Sequence, residues 1–376
     1  MIIQTYDKWE KSPVILTFDE KPIPISSIPF PAVTICPEVK FSRKLFNISG
    51  WGAYQTKKQS RLQNALHSIC TFMPPSIYRS DINVTDDLKS FAIPFNDVFQ
   101  RCSYHEKIID CHKLFYEVIT EAGICYSFNM LDSDDILNDI IDDGLKYPKH
   151  GKKSINWTLQ DGYTEISSSI YPERVLGSGF AMSLNVWLNV NKNDVDFKCN
   201  AFSQGFKMSL HSPTEVPRFS KDYYHIPLKK TVQFSVNPEV FKTSDGLKSY
   251  KPEVRQCYYD GEKPLKFYKV YTQSNCELEC LSNYTQRLCS CTKLGHPHGH
   301  GTKMCSSMNE ACYSAAEFNW MSGILTQKTN DSQPRFNECK CLPSCTSLEY
   351  NAKISQSDFH YEEFFNAMNI KQRKNM

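Results

Sequence analysis

Ten of the sixteen cysteines lie in one stretch, from Cys257 to Cys345, that covers less than a quarter of the 376 residues. Within it, Cys276 and Cys280 form a C-x3-C cluster, and a C-x-C cluster follows at 289–291. An even number of cysteines at such spacing is typical of a disulfide framework. Because disulfides persist in oxidising compartments, we expect this part of the chain to lie outside the cytosol. A cytosolic protein with reduced thiols is the alternative, which the close clusters disfavour.

The composition restricts both the structural class of the chain and the kinds of partner that it is expected to bind. A hydrophobic content of 40% with 13% aromatic residues indicates a globular chain, and its many Phe and Tyr residues suit β-rich structure. The formal net charge is only +2, so no overall field draws the chain to nucleic acid, and no nucleic-acid partner is expected. Five N-x-S/T sequons are candidate glycosylation sites: Asn47, Asn83, Asn156, Asn283 and Asn330.

The chain shows no route to an oxidising compartment. Residues 1–18 lack the apolar core and the small-residue cleavage site of a signal peptide. No run approaches the roughly 18 apolar residues of a membrane helix. The simplest interpretation is an extracellular domain whose membrane segments lie outside these limits.

Local patterns predict a mixture of strands and helices. β-Branched runs predict strands at 32–36, 180–190, 206–210, 231–236 and 346–354. Periodic apolar residues predict helices at 60–72, 112–120 and 309–325, and one that carries Cys276 and Cys280 and is capped by Ser274 or Asn275.

The acidic stretch at 132–143 has two interpretations, a calcium-binding loop and a helix. Its aspartates resemble the start of a calcium loop, but Ile136 stands at the third ligand position and no glycine follows it. A helix capped by Asp132 or Ser133 is preferred, with Ile136, Leu137, Ile140 and Ile141 on one face.

No enzymatic signature is present: the chain lacks a nucleophile elbow, a zinc-protease motif, a Walker loop and a dinucleotide fingerprint. We therefore expect no catalytic site and no cofactor. The only metal candidates are the weak ones at His296, His298 and His300, whose alternating imidazoles could hold zinc or copper. A flexible loop in solvent is the favoured reading of those histidines.

Several motifs together point to one family. They are FPAVTICP at 30–37, GICYSFN at 123–129, YP at 171–172 with VLGSG at 175–179, and GFK, HSP and EVP at 205–207, 211–213 and 215–217. The first resembles the segment after the first membrane helix in the degenerin/epithelial sodium channel family. GICYSFN and the cysteine module are also similar to elements of that family, and the remaining motifs are similar to its insect pickpocket branch.

This resemblance implies an α+β channel ectodomain with a central, mostly antiparallel β palm and a helical thumb braced by a disulfide ladder. It divides the chain into a post-membrane approach segment (1–29), a palm, finger and β-ball region (30–256), the thumb (257–345), and a returning palm strand with a truncated tail (346–376). It also implies a homo- or hetero-trimer with related subunits, selective for sodium and blocked by amiloride, at the plasma membrane.

The resemblance further implies a set of disulfide partners. The pairs are Cys36–Cys125, Cys102–Cys111, Cys257–Cys345, Cys276–Cys341, Cys280–Cys339, Cys289–Cys312 and Cys291–Cys305. Cys70 and Cys199 remain, and we infer that they pair with each other.

The chain departs from the family at several points. Both membrane helices, and with them the pore, are missing. Arg255 stands where acid-sensing members have a Trp that couples thumb to membrane, and Tyr6 and Trp9 are candidate partners for that loop. We expect the final strands that lead to the second membrane helix to be absent or degraded beyond Tyr361.

Two functions follow from this. The chain is either the stimulus-sensing domain of a ligand- or mechanically gated channel subunit, or a truncated, non-conducting decoy that is secreted or retained inside the cell. Apolar spans of about 20 residues encoded on each side would favour the first, and a cleavable signal with an early stop the second.

Overall fold

The computed structural model describes residues 17–18, 22–43, 63, 66–67, 69–70, 84–165, 170–197, 199, 204–326 and 339–368. The strands of these residues, in chain order, are β1 Ala32–Pro37, β2 Phe99–Tyr104, β3 Lys107–Ile109, β4 Phe115–Thr120, β5 Gly123–Phe128, β6 Trp157–Thr158, β7 Gly162–Tyr163, β8 Leu184–Leu188, β9 Gly205–His211, β10 Tyr224–Pro227, β11 Lys230–Lys242 and β12 Thr346–Asp358. The α-helices are α1 Val84–Phe91, α2 Phe95–Val98, α3 Cys111–Leu114, α4 Ser133–Ile136, α5 Pro252–Arg255, α6 Gln273–Cys289, α7 Glu310–Thr326 and α8 Tyr361–Ala367.

Strand β1 is the centre of a five-stranded sheet with the order β10-β9-β1-β5-β4. Its ladders to β5 and β9 are both antiparallel. All six of its residues are buried, which explains its nearly continuous apolar run, because a strand covered on both faces has no polar side. Val33 and Ile35 face one apolar cluster, and Ala32 and Cys36 face another. The predicted α+β class with a mostly antiparallel sheet is confirmed.

The second of these clusters extends beyond the sheet. It includes Phe267 and Tyr268, which belong to the cysteine-rich segment (residues 257–345). Phe267 is only 1% exposed. The cysteine-rich segment and the sheet therefore share one apolar core and do not merely touch at their surfaces.

The predicted helix at 112–120 is wrong over most of its length. Only Cys111–Leu114 form a helical turn, and β4 follows at once. The β4 residues pair with β5 from Phe115 to Thr120. Aromatic and β-branched residues such as Phe115, Val118 and Ile119 suit this ladder, so the pairing prevails over the helical pattern.

The acidic stretch also forms less helix than predicted. Helix α4 is one turn long, with Asp132 as its N-cap accepting from the backbone N–H of Asp134 at 3.0 Å. Ile136 and Ile141 are buried, but Ile140 is 47% exposed. The four apolar residues therefore do not share one helical face.

The long ribbon of β11 and β12 joins the sheet region to both ends of the cysteine-rich segment. The two strands pair antiparallel from Lys230 with Asp358 to Lys242 with Thr346. The predicted strands at 231–236 and 346–354 are present and longer than expected. Of the predicted strand at 180–190, residues 184–188 form β8. Described residues beyond Tyr361 form α8 and no strand.

The sixteen cysteines form eight disulfides and none is free. The pairs are those stated above: Cys36–Cys125, Cys70–Cys199, Cys102–Cys111, Cys257–Cys345, Cys276–Cys341, Cys280–Cys339, Cys289–Cys312 and Cys291–Cys305. Among the described residues, no helix has the length and apolar character needed to cross a membrane.

Candidate functional site: the junction of the cysteine-rich segment with the sheet

The cysteine-rich segment is closed at its base by covalent and hydrogen bonds. The Cys257–Cys345 disulfide joins its two ends. Beside it, the backbone N–H of Tyr258 donates to the Pro343 carbonyl at 2.9 Å, and that of Cys345 donates to the Tyr258 carbonyl at 2.8 Å. Both ends of the segment therefore leave the β11–β12 ribbon from one fixed point.

Arg255, a predicted coupling residue, lies just before this base and is 2% exposed. Its guanidinium donates to the carbonyls of Tyr250 and Cys257 and pairs with the Glu262 carboxylate. Its charged group also lies 4.6 Å from the centre of the Tyr259 ring. These contacts all lie within residues 250–262. Tyr6 and Trp9 lie outside the described residues, so the coupling role stays a prediction.

Helices α6 and α7 make the segment a rigid unit. Helix α6 begins after Thr272, whose hydroxyl accepts from the Asn275 N–H at 3.1 Å, so the cap lies two residues before the predicted Ser274. Cys276 and Cys280 of α6 hold the returning chain at residues 339–341, and the 289–312 disulfide joins α6 to α7. Each crosslink contributes about 2–4 kcal/mol on the usual scale.

The first contact of α6 with the sheet region is made by the loop at 212–222, which follows β9. Asn275, 1% exposed, donates from Nδ2 to the Thr214 carbonyl at 3.1 Å and accepts from the Val216 N–H at 3.4 Å. Two residues further along α6, Glu277 pairs with Arg218 of the loop at 2.9 Å. The buried amide of Asn275 thus holds the loop at the start of α6, and the ion pair provides a second contact between the loop and this helix.

Glu215 of the same loop is a titratable group inside this contact. Burial raises its pKa to about 7, although hydrogen bonds from the Thr272 hydroxyl and the Ser212 backbone and the charge of Lys221 act to lower it. The Glu349 carboxylate of β12 raises this pKa further. The charge at the start of α6 therefore changes near neutral pH.

A second contact is organised by Glu279, which is 8% exposed. Its two carboxylate oxygens accept from the backbone N–H groups of Lys266 and Phe267 at 2.9 and 2.8 Å. The same short segment then pairs with the chain after α4, where the Asn138 N–H donates to the Phe267 carbonyl at 2.9 Å. Glu279 therefore holds in place the strand-like segment that carries Phe267 into the shared core.

The three predicted metal candidates lie in a third contact but point to different partners. His296 and His298 are buried, whereas His300 is exposed. His296 faces Glu121 at 3.8 Å, and Nδ1 of His298 bonds to the backbone carbonyl of His296 at 2.9 Å. Nδ1 of His300 lies 3.9 Å from a carboxylate oxygen of Asp142. Among the described residues, no group of three or more His, Cys, Asp or Glu side chains is placed to hold a metal. The favoured interpretation, a flexible loop in solvent, is therefore wrong for His296 and His298, whose side chains are buried.

Two of the five sequons lie in the described residues. Asn156 is half-buried beside β6, and its amide donates to Glu165 at 3.1 Å. Asn283 lies within α6, and Thr285 of its sequon is 1% exposed. Asn47, Asn83 and Asn330 lie outside the described residues, and modification of all five stays a prediction.

Sequence reasoning missed the polar groups that hold the junction together. Glu279 stands three residues after Cys276, a spacing that places the two side chains on the same side of a helix. A carboxylate on a face defined by disulfides is a signal that could have identified it, because buried charges need partners. Nothing in the sequence marks Glu121 or Glu215, whose partners come from distant elements.

Comparison with known proteins agrees with the motifs. A family model described as amiloride-sensitive sodium channel matches residues 1–376. Pickpocket protein 28 of Drosophila melanogaster is 26% identical over 374 residues, which cover 97% of this chain and 59% of that protein. The sodium channel protein Nach of the same organism is 21% identical over 93% of this chain and 64% of its own length. The bile acid-sensitive ion channel of Rattus norvegicus is 23% identical over 89% of this chain and 59% of its own.

The chain thus spans about six tenths of the length of these relatives. Two of the three are named as channels, and none is named as an enzyme. The match covers every motif and cysteine on which the predicted resemblance depended. The chain belongs to the amiloride-sensitive sodium channel family.

Proposed function

We propose that this chain is the extracellular domain of a sodium-selective, amiloride-sensitive, ligand- or mechanically gated channel subunit that assembles as a trimer at the plasma membrane. Its role is to convert an extracellular stimulus into movement at the pore. In this proposal residues 1–29 form the approach segment, 30–256 the palm, finger and β-ball region, 257–345 the thumb, and 346–376 the returning strand with the tail. The family match across the whole chain carries the proposal.

The contacts between the cysteine-rich segment and the sheet region give the proposal a physical basis. A crosslinked pair of helices moves as one body, so displacement at its tip is not lost in internal bending. That body is attached to the sheet by Asn275, by Glu279 and by the closed base at Cys257–Cys345. A stimulus that shifts the thumb therefore changes the position of the β11–β12 ribbon.

Electrical recording tests the channel activity. The complete transcript that encodes residues 1–376 is expressed in oocytes, alone and with a related subunit, and surface protein is measured by biotinylation. We expect an inward current that depends on external sodium and is blocked by amiloride. Surface protein with no current above uninjected cells, in either combination, would refute the channel proposal.

A crosslink tests whether movement of the thumb matters. Ile141 and Gly299 form an isolated antiparallel bridge between the sheet side and the histidine loop. Directly paired residues of this kind lie close enough for a disulfide. We expect the pair Ile141→Cys and Gly299→Cys to suppress the current, and each single variant to leave it. Unchanged current in the crosslinked protein, with the bond verified by mass, would show that this contact does not move during gating.

A further inference from the structure

Helix α7 is apolar on both of its sides. Its 17 residues include only two charged ones, Glu310 and Glu317. A helix at the surface of a globular protein has an apolar stripe toward the core and a charged or polar face toward solvent. A helix that is apolar all round is normally buried on every side, so the composition of α7 predicts a partner on each of its sides.

One side of α7 has its partner within the cysteine-rich segment. Ala316 is 0% exposed. Glu317 accepts from the Lys293 ammonium at 2.6 Å, and the same ammonium lies 5.5 Å from the centre of the Tyr313 ring. The 289–312 disulfide joins this part of α7 to α6. Since these contacts fix the rotation of α7 about its own axis, the opposite side of the helix faces outward.

The opposite side of α7 is exposed and uncharged. Phe318 is 67% exposed and Met321 is 56% exposed. With about 3.6 residues per turn, these two lie on the same side of the helix as three smaller exposed residues. We call the five together the outer face: Ala311, Ser314, Ala315, Phe318 and Met321. A contiguous apolar surface of this kind marks an interaction site, because apolar area gains free energy when it leaves water.

The spacing along the outer face indicates which kind of element covers it. Ala311, Ala315 and Phe318 are followed by Ser322, so the residues recur at intervals of four, three and four. This is the heptad spacing by which one helix packs lengthwise against another. Alanine and serine let two helix backbones approach closely, and Phe318 is large enough to fill the space between them. The pattern therefore indicates a helix as the partner.

We propose that the outer face binds the outer face of a second copy of this chain, with the two α7 helices antiparallel. A two-fold axis midway between positions 316 and 317 places Phe318 of one copy opposite Ala315 of the other. The same axis places Ser322 opposite Ala311. The large side chain of each copy thus meets a small one of the other, which is the self-complementarity that a symmetric contact requires.

The distribution of charge favours an identical partner. In paired helices, charged residues beside the contact select the partner, and like charges exclude a wrong one. Here Ser314, Asn319 and Met321 flank the contact, and none of them carries a charge. Two copies therefore meet without repulsion at these positions, and a partner recognised by its charge finds no counterpart there. The antiparallel direction also places the positive end of each helix dipole near the negative end of the other.

The proposed contact is small and closed. At a rise of about 1.5 Å per residue, the 17 residues of α7 extend about 25 Å. One helix pair of this length buries less than the roughly 1,600 Å² of a standard interface, so we expect a weak dimer that forms with rising concentration. A two-fold contact is complete with two copies. It is therefore separate from the proposed trimer, and it links one trimer to another where trimers form.

Analytical ultracentrifugation tests the pairing without a membrane or a current, so its outcome is independent of the channel proposal. The full chain is produced in the secretory pathway, where its disulfides form, and sedimentation equilibrium is measured from about 1 to 500 μM. We expect monomer and dimer in exchange, with a dissociation constant of about 10–100 μM. Monomer at every concentration would overturn the proposal.

Matched variants identify the surface. Phe318→Glu should weaken the dimer about tenfold or more, whereas Ile108→Glu should not, although Ile108 on β3 is equally exposed, at 68%. Ala315→Lys should also weaken the dimer. An equal mixture of Ala315→Lys with Phe318→Glu should restore it, because the new charges face each other across the axis. Intact mass with every disulfide formed establishes that each variant is folded. Self-association that Phe318→Glu leaves unchanged, or no recovery in the mixture, would contradict the proposed pairing.

Discussion

The carboxylate of Glu279 provides a sharp test of how the cysteine-rich segment is held to the sheet. It satisfies two backbone N–H groups, of Lys266 and of the buried Phe267. In Glu279→Ala both donors lose a charged acceptor. Each hydrogen bond to a charged group is worth about 1.5–3 kcal/mol, so we expect a loss of about 3–6 kcal/mol in the free energy of unfolding.

A graded series separates this effect from a general loss of packing. Glu279→Gln keeps one acceptor oxygen and should lose about half as much as Glu279→Ala. Glu253→Ala, in the nearby helix α5, removes an exposed ion pair with Lys340 and should cost about 1 kcal/mol or less. Guanidinium unfolding with the disulfides intact gives the free energies.

Hydrogen exchange locates the effect. The amides of Lys266 and Phe267 should lose protection in Glu279→Ala, and those in β1 should not. Equal stability of the Ala and Gln variants, or unchanged protection at these two amides, would refute the role assigned to Glu279.

Three other changes test separate parts of the junction. Asn275→Ala removes the amide that is bonded to the loop at 212–222. Since each neutral hydrogen bond is worth about 0.5–1.5 kcal/mol, the free energy of unfolding, measured by thermal unfolding, should fall by about 1–3 kcal/mol. No loss would contradict that contact. Burial raises the pKa of Glu215 from 4.5 to about 7, so the folded chain retains this proton and loses stability as pH rises between those values. Glu215→Gln should therefore be more stable than the parent at pH 8 and equal to it at pH 4. Parallel pH–stability curves would show that Glu215 has no raised pKa in the folded chain, and a less stable variant at pH 8 would show the sign to be wrong. Cys280→Ser should leave Cys339 as a free thiol that maleimide labels, and labelling of a different cysteine would mean that this pair is drawn wrongly.

The prediction of the core strand succeeded because its cause is local. The run from Ala32 to Cys36 is apolar and β-branched without alternation, which is what a strand covered on both faces requires. The prediction at 112–120 failed because β4 is a strand through its pairing with β5, and a partner is not visible in a periodic pattern. The length of the acidic helix was overestimated for a similar reason, since the packing after Ile136 is set by the segment around Phe267.

The sequence by itself determined the family, the even set of cysteines in one dense segment, the strands β1, β9, β11 and β12, and the two long helices α6 and α7. Each of these follows from residue spacing or from short motifs, which can be recognised without knowledge of the folded chain. Only the tertiary structure decided which polar groups meet: Asn275 with Thr214, and Glu121 with His296. These partners lie on separate elements, and burial makes each group depend on a neighbour that only packing can bring to it.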